Sequence, residues 1–310
     1  MIIFRVFVLT SMIIMQLSIL IVNENTENLI ENFLLELKQQ SLALNTYEII
    51  IANRYNNQSL KDSINSNLTL NGLNIKVLEV EHDLGFGAAI NHAAQHVLGD
   101  TLLIINPAVN IPQRDYLVQL LKKAENIDHY GLMSTRVIDR FNQDISTHLL
   151  YEFNHDLGFE NQINWFSRDL LLIKKTVFEQ ISGFDPDFYQ YHEDQDLSLR
   201  IKLLQLPLIK LNDLEVRLND SKPKPCLSYS FYQTWFKSKI LFAYKHFTSY
   251  DYVRLLYQLE LKSTKRSKIY SILCLTGITT FQHKKVKWTA IRDSIHKTIN
   301  ESAQWLYLKK

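Results

Sequence analysis

The sequence predicts an α/β protein with a largely parallel sheet covered on both faces and a helical C-terminal extension. Three observations carry the prediction. Short apolar runs alternate with amphipathic runs through the first half of the chain, charge divides sharply between the two ends, and aromatic and basic residues recur at helical spacing in the tail. The 310 residues, 46% hydrophobic and 21% charged, suit one large domain with an appendage.

The elements follow in order. "LSILIV" (17–22) reads as the first strand, and an amphipathic stretch over 27–40 follows it. "YEIIIA" (47–52) is a second strand that leads into a polar loop of Asn, Gln and Ser. "NIKVLE" (74–79) precedes a small-residue helix near 88–97, and "TLLII" (101–105) precedes another over about 113–124. Such strands read as buried and parallel, and their ligands bind beyond the strands' carboxyl ends. Residues 129–225 mix strands with an acidic motif, moving from a buried strand through a short helix and an aromatic loop to a helix from about Glu193.

Other classes are excluded. Cys226 and Cys274 stand far apart with no CxxC or Cys/His cluster, so neither a disulfide framework nor a structural zinc site is expected, which suits a cytoplasmic protein. "LGFGAA" (84–89) is only a turn signal, and no phosphate loop or full GxGxxG is present. A nucleotidyltransferase would need a glycine-rich loop near the N-terminus, and "IVNENTEN" is unlike one.

Residues 6–22 carry no charge and in isolation read as a signal anchor or short membrane span. Residues 17–22 are also needed as a strand, and one segment cannot be both. The expected start is therefore Met12 or Met15, with residues 1–14 an upstream extension, 15–225 the main domain and 226–310 a basic aromatic helical tail.

Charge supports that division. Residues 222–310 hold 17 Lys and Arg against four acids, while residues 1–221 carry a net charge of −11. Aromatics at helical spacing are more often core than membrane contact. The basic excess points the tail towards an anionic membrane surface, so a peripheral position on the inner face of the cytoplasmic membrane is expected. No element reads as a nucleic-acid module.

The densest chemistry lies in "YHEDQDLSLR" (191–200), where Glu193, Asp194 and Asp196 open a helix. Acids in a first turn meet the positive end of the helix dipole, so capping alone would account for them. Their neighbours add a second reading. "LLLIKKTVFEQISGFDPDFYQYHEDQDLSLRI" (170–201) and "DLGFGAAINHAAQHVLGDTLLIINP" (83–107) resemble the family 2 glycosyltransferases, of the kind that assemble bacterial surface polysaccharides and include rhamnosyltransferases. The likeness runs from about Leu17 to Lys245, with Ser182 in place of the first Gly of the family's GGFD.

The resemblance implies a GT-A type, Rossmann-like mixed sheet flanked by helices, and an inverting transfer from a nucleotide-diphosphate sugar to a glycan or lipid-linked acceptor. It gives the general base to Asp194, with Glu193 and Asp196 orienting neighbours and Arg200 pairing back to Asp196. It places the donor near Asn23, Asn25, Asn53, Gly85, Phe86, Asn91 and Asn106. The chain also departs from the pattern. The family's NPD, whose Asp helps hold a divalent ion, is here Asn106-Pro107-Ala108, and a frequent His is here Asn219. A base-reading Asp becomes Asn53, whose carbonyl can still accept, and a second Asp becomes Gln58. A site for Mg²⁺ or Mn²⁺ is thus poorly built, and Arg217, Lys222 and Lys224 are the expected partners of the diphosphate. The lysines also read as an ordinary solvated loop. Two readings stay open: an active transferase with little or no metal dependence, or a degenerate fold serving as a non-catalytic partner in an assembly complex.

Overall fold

The computed structural model describes residues 15–54, 58–148, 165–218 and 228–308. The expectations for residues 1–14 and for Asn219, Lys222 and Lys224 lie outside the described residues. In chain order the elements begin with β1 (Leu17–Asn23), α1 (Glu27–Lys38), β2 (Tyr47–Asn53), α2 (Gln58–Ser66), β3 (Ile75–Glu79), α3 (Phe86–Ala94) and β4 (Thr101–Ile105). Then come β5 (Val109–Asn110), α4 (Tyr116–Glu125), β6 (Leu132–Ile138), β7 (Thr147–His148), β8 (Trp165–Phe166), β9 (Leu170–Lys174) and α5 (Lys175–Gln180). The chain continues with α6 (Glu193–Leu203), β10 (Leu208–Leu218), α7 (Tyr229–His246), α8 (Ser249–Leu273) and α9 (Thr279–Leu308).

The main sheet runs β3-β2-β1-β4-β9-β6-β10-β5. Its first four strands are parallel, β9 inserts antiparallel between β4 and β6, and β5 pairs antiparallel on the far edge. Side chains alternate across each strand, which divides the core in two. Leu17, Ile19, Ile21, Ile49, Ile51 and Leu103 pack on the α1 and α4 side. Leu20, Val22, Ile50, Ala52, Leu102 and Ile104 pack on the α3 and α6 side. All seven residues of β1 are buried, as a central strand covered on both faces requires.

One polar segment behaves differently from its expected role as a loop. Within 53–73 the chain forms α2, because Leu60 and Ile64, four apart, bury one stripe against the α1-side core.

Beyond the sheet, α7, α8 and α9 share a core of their own around Phe236, Leu255, Leu256, Trp288 and Ile291. Polar ties bind this unit to the sheet domain. Asp196, buried in the first turn of α6, accepts from Arg200 Nε at 2.8 Å and meets His246 Nε2 at 2.7 Å. Ser238 donates to the Gln190 carbonyl at 2.7 Å, and Lys245 reaches Asp185 and Asp187. Phe242 packs with Phe188 and Leu199 across the same junction.

Asp196 was expected to orient neighbours beside the base, and the Arg200 pairing is present. Its other oxygen, however, is turned to α7 rather than to a ligand site. Replacing it should therefore act on stability: Asp196→Ala leaves Arg200 without its carboxylate and is expected to cost about 3–5 kcal/mol in urea unfolding. A change under about 0.5 kcal/mol would contradict this anchoring role.

Candidate functional site

The site forms where strand ends converge. β1 and β4 point their carboxyl ends to one edge of the sheet. Because β9 is antiparallel to β4, its start lies at that same edge, with Leu170 opposite Ile105. A small open cleft results, lined by Val22, Glu24, Thr26, Phe86, Ile105, Asn106, Pro107 and Arg168.

Arg168 is the cleft's basic wall. Its guanidinium lies 4.3 Å above the Phe86 ring, its Nη1 donates to Glu193 at 2.5 Å, and Glu24 stands 4.0 Å from Nη2. Burial works against its charge, but Glu193, Glu24, Asp194 and Asp169 outweigh burial and hold its pKa above the ordinary arginine range. Glu24 in turn receives Arg54 Nη1 at 3.1 Å, and Arg54 also donates to the Tyr189 hydroxyl and the His82 carbonyl.

Asp194 sits beside this chain of charges and is half-buried. Its Oδ2 accepts the Arg168 backbone N–H at 3.2 Å, and its Oδ1 accepts that of Gln195 at 2.9 Å. Burial, then the Glu193 charge, push its carboxyl up to about 7, although Arg168 and the two backbone donors pull the other way. The approach to this turn is strained. Tyr191 and His192 both adopt left-handed φ, at 69° and 66°, a conformation that side chains with a Cβ rarely take. His192 is half-buried with its ring 5.0 Å from that of Trp235, and desolvation lowers its pKa to about 4, so it is neutral.

The other expected residues divide between cleft and scaffold. Phe86 and Asn106 line the cleft. Asn106 spends its amide on Asp169 at 2.7 Å and its oxygen on the Ala108 N–H at 3.0 Å. Asn25 is exposed with φ 63°, in the turn after β1. Asn23 and Asn53 are fully buried and bonded to each other at 2.9 Å, and Asn53 also donates to Glu79. Asn53 therefore offers no exposed amide to a base. Asn91 clamps both backbone groups of Phe184, at 2.7 and 2.8 Å, and so fixes a loop. Gly85 lies so close to the Tyr189 carbonyl that a Cβ would collide with it, and its role is close packing. Gly183 needs φ +67°, and the preceding Ser182 adopts φ 58°. Arg217 is half-exposed on the outer strand β10, meets Glu215 at 3.4 Å and does not line the cleft.

Sequence reasoning missed Arg168, Glu24 and Asp169. The signal for the first and last was an Arg-Asp pair directly before the apolar run of β9. Once β9 is known to be antiparallel, that pair falls at the ligand-binding edge.

Among the described residues, those at the expected metal position do not fit a divalent ion. Ala108 is 1% exposed and has no ligand atom, and Asn106 is committed to Asp169 and Ala108. Among the described residues no group of three His, Cys, Asp or Glu is placed to hold a metal.

The family model for glycosyl transferase family 2 matches residues 18–184, more than half of the chain. Among solved structures, the mannosyltransferase PcManGT from Pyrobaculum calidifontis, in complex with GDP-Man and Mn²⁺, superimposes with a TM-score of 0.59 at 14% identity. The match covers 92% of this chain and 87% of that one. TarS residues 1–349 from S. aureus, in complex with UDP-GlcNAc, gives 0.54 at 12% identity, covering 92% of both. These identities establish the GT-A fold alone. No curated protein sequence matches significantly.

The raised Asp194 pKa has a consequence for stability. A carboxyl that is harder to ionise when folded stabilises the fold while protonated, and that contribution fades as pH rises from about 4 through about 7. Asp194→Asn removes the buried charge, so its Tm should exceed the parent's by at least ~2 °C at pH 8 and converge with it at pH 5. Equal Tm values at both pH values would show that Asp194 is ionised without cost.

Proposed function

Given that the chain belongs to glycosyl transferase family 2, we propose that it moves a sugar from a nucleotide-diphosphate donor to a glycan or lipid-linked acceptor with inversion at C1. The observation that carries this reading is a half-buried Asp194, its pKa raised to about 7, that accepts the backbone N–H of Arg168, whose side chain lines a cleft at the sheet's carboxyl edge. PcManGT and TarS, whose fold this chain shares, carry GDP-Man and UDP-GlcNAc in their complexes, which supports a nucleotide sugar as the donor class.

In the proposed step the acceptor hydroxyl oxygen attacks C1 while its proton passes to the Asp194 carboxylate. The C1–O bond to the diphosphate breaks, and its electron pair leaves on the phosphate oxygen. A base with a pKa near the working pH combines availability with proton affinity. The departing charge requires a cation, and Arg168 supplies one that no metal need hold in place. Arg168 takes the place first expected of Arg217.

A second reading has its own observation. Glu24, Asp169, Glu193 and Asp194 surround Arg168 and partly neutralise it, and Ala108 removes a family ligand. Both features suit a degenerate site in a non-catalytic partner. Calorimetry with UDP-, dTDP- and GDP-sugars, with and without Mg²⁺, separates the two. Binding of one donor that is unchanged by a chelator supports the transferase, whereas no binding under either condition favours the degenerate protein.

Turnover should show the base directly. The kcat/KM is expected to rise with pH through about 7, because only ionised Asp194 accepts the proton. Asp194→Asn should lower kcat about a thousandfold with little change in donor affinity. A flat pH profile and a near-normal variant would remove Asp194 from the reaction.

A chelator should reduce the parent's rate less than about twofold, while Arg168→Lys should lower kcat at least about tenfold by replacing the fork with a point charge. Strong inhibition by the chelator would place a metal in the cleft after all.

A further inference from the structure

The helical unit presents a surface that the transfer reaction does not use. Along α8, Tyr250, Val253, Tyr257, Leu261 and Ile272 are all exposed, Tyr250 at 72%. Their spacing of three, four, four and eleven residues keeps them on one stripe, about 33 Å long at 1.5 Å per residue. The stripe runs into the turn between α8 and α9, where Leu275 is 86% exposed and Ile278 half-exposed on either side of Gly277. The opposite side of α8 is occupied, because Leu255, Leu256 and Leu259 face the helical core with Trp288 and Ile291. The exposed stripe is therefore surplus to the fold.

Charge identifies what covers it. From Leu261 to Arg292 the sequence holds eight Lys and Arg and no Asp or Glu. Lys262, Lys265, Lys268, Lys284 and Lys285 are exposed around the turn, and Lys284 lies 5.6 Å over the Tyr270 ring. The acids of the unit lie outside this stretch: Asp251 and Glu260 precede it on α8, while Asp293, which pairs with Arg292, and Glu301 follow it on α9. A second copy of the chain would bring the same collar against this one and be repelled. An acidic partner would satisfy the collar but not an apolar tip. A bilayer with anionic headgroups offers both chemistries at once: phosphates for the lysines and an acyl boundary for Leu275, Ile278 and the tyrosines.

We propose that the α8 stripe and the α8–α9 turn dock on an anionic lipid surface, with Leu275 and Ile278 entering the headgroup layer inside a lysine collar. This names the face by which a peripheral protein of this sequence would sit on a membrane, and it stands independently of whether the cleft transfers a sugar. It is also distinct from spanning: no helix among the described residues is long and apolar enough to cross a bilayer.

The test is flotation of the full-length chain with vesicles of phosphatidylcholine alone or mixed with phosphatidylglycerol. The expected result is binding to the mixed vesicles only, weakened by salt. Leu275→Asp with Ile278→Asp should weaken it at least about tenfold, and Lys284→Glu with Lys285→Glu by a similar factor, since each lysine near the surface contributes about fivefold. These positions are exposed, so an unchanged Tm in each variant shows that folding is intact. Failure of the parent to float with phosphatidylglycerol overturns the proposal, as does undiminished binding by both variants. A concentration-dependent dimer abolished by Leu275→Asp would instead make this face an interface between copies and overturn it too.

Discussion

The candidate site depends on a row of alternating charges that runs Arg54, Glu24, Arg168, Glu193. Glu193 is the demanding member. It is 1% exposed, and one of its oxygens has no hydrogen-bond partner among the described residues. An ionised carboxylate so placed is tolerable only with a cation in contact, and breaking such a pair costs about 3–5 kcal/mol because the remaining charge stays buried. Arg168 is that cation. The same residue offers its backbone N–H to Asp194 and its guanidinium face to Phe86. One arginine thus sets the helix start, the candidate base and the cleft wall together.

That dependence explains which parts of the fold were legible in the sequence. Strands β1, β2 and β4 announce themselves as apolar runs because both faces are buried, whereas the edge strand β3 interrupts its apolar residues with Lys76 and Glu79. The acidic turn of α6 was equally visible, since three carboxylates open the helix within four positions. Arg168 was not visible, because its importance comes from the direction of β9. An apolar pentamer reads the same whether it runs parallel or antiparallel, and only the antiparallel choice carries residues 168 and 169 to the cleft. Asn53 and Asn91 were misplaced for a related cause. Residue type shows that an amide can bond a ligand, but not that a neighbouring backbone or amide has already claimed it.

The segment 191–196 shows how little sequence separates the two jobs of α6. Successive residues of a helix turn by 100°, so Asp194 and Asp196 project about 200° apart. One meets the Arg168 backbone beside the cleft, and the other meets His246 of α7. The left-handed pair Tyr191 and His192 fixes where this turn begins, and His192 packs on Trp235 of the same helix α7. The strain in that pair, on the order of 1–3 kcal/mol per residue, must be offset by the packing around it.

The helical unit is therefore part of the site's support. Ser238, Lys245 and His246 each bond to the 185–196 stretch, while the apolar face of α7 joins the core shared with α8 and α9. A carboxylate held at a raised pKa needs fixed surroundings, because a mobile loop would admit water and return it to the ordinary range. The sheet supplies Arg168 from one side and α7 supplies the anchor from the other. The acidic and basic halves of the sequence meet at this junction, through Asp185, Asp187 and Asp196 on one side and Lys245 and His246 on the other. The contrast in charge along the chain thus has a structural use before it has any ligand, since it seats the tail against the loop that carries the candidate base.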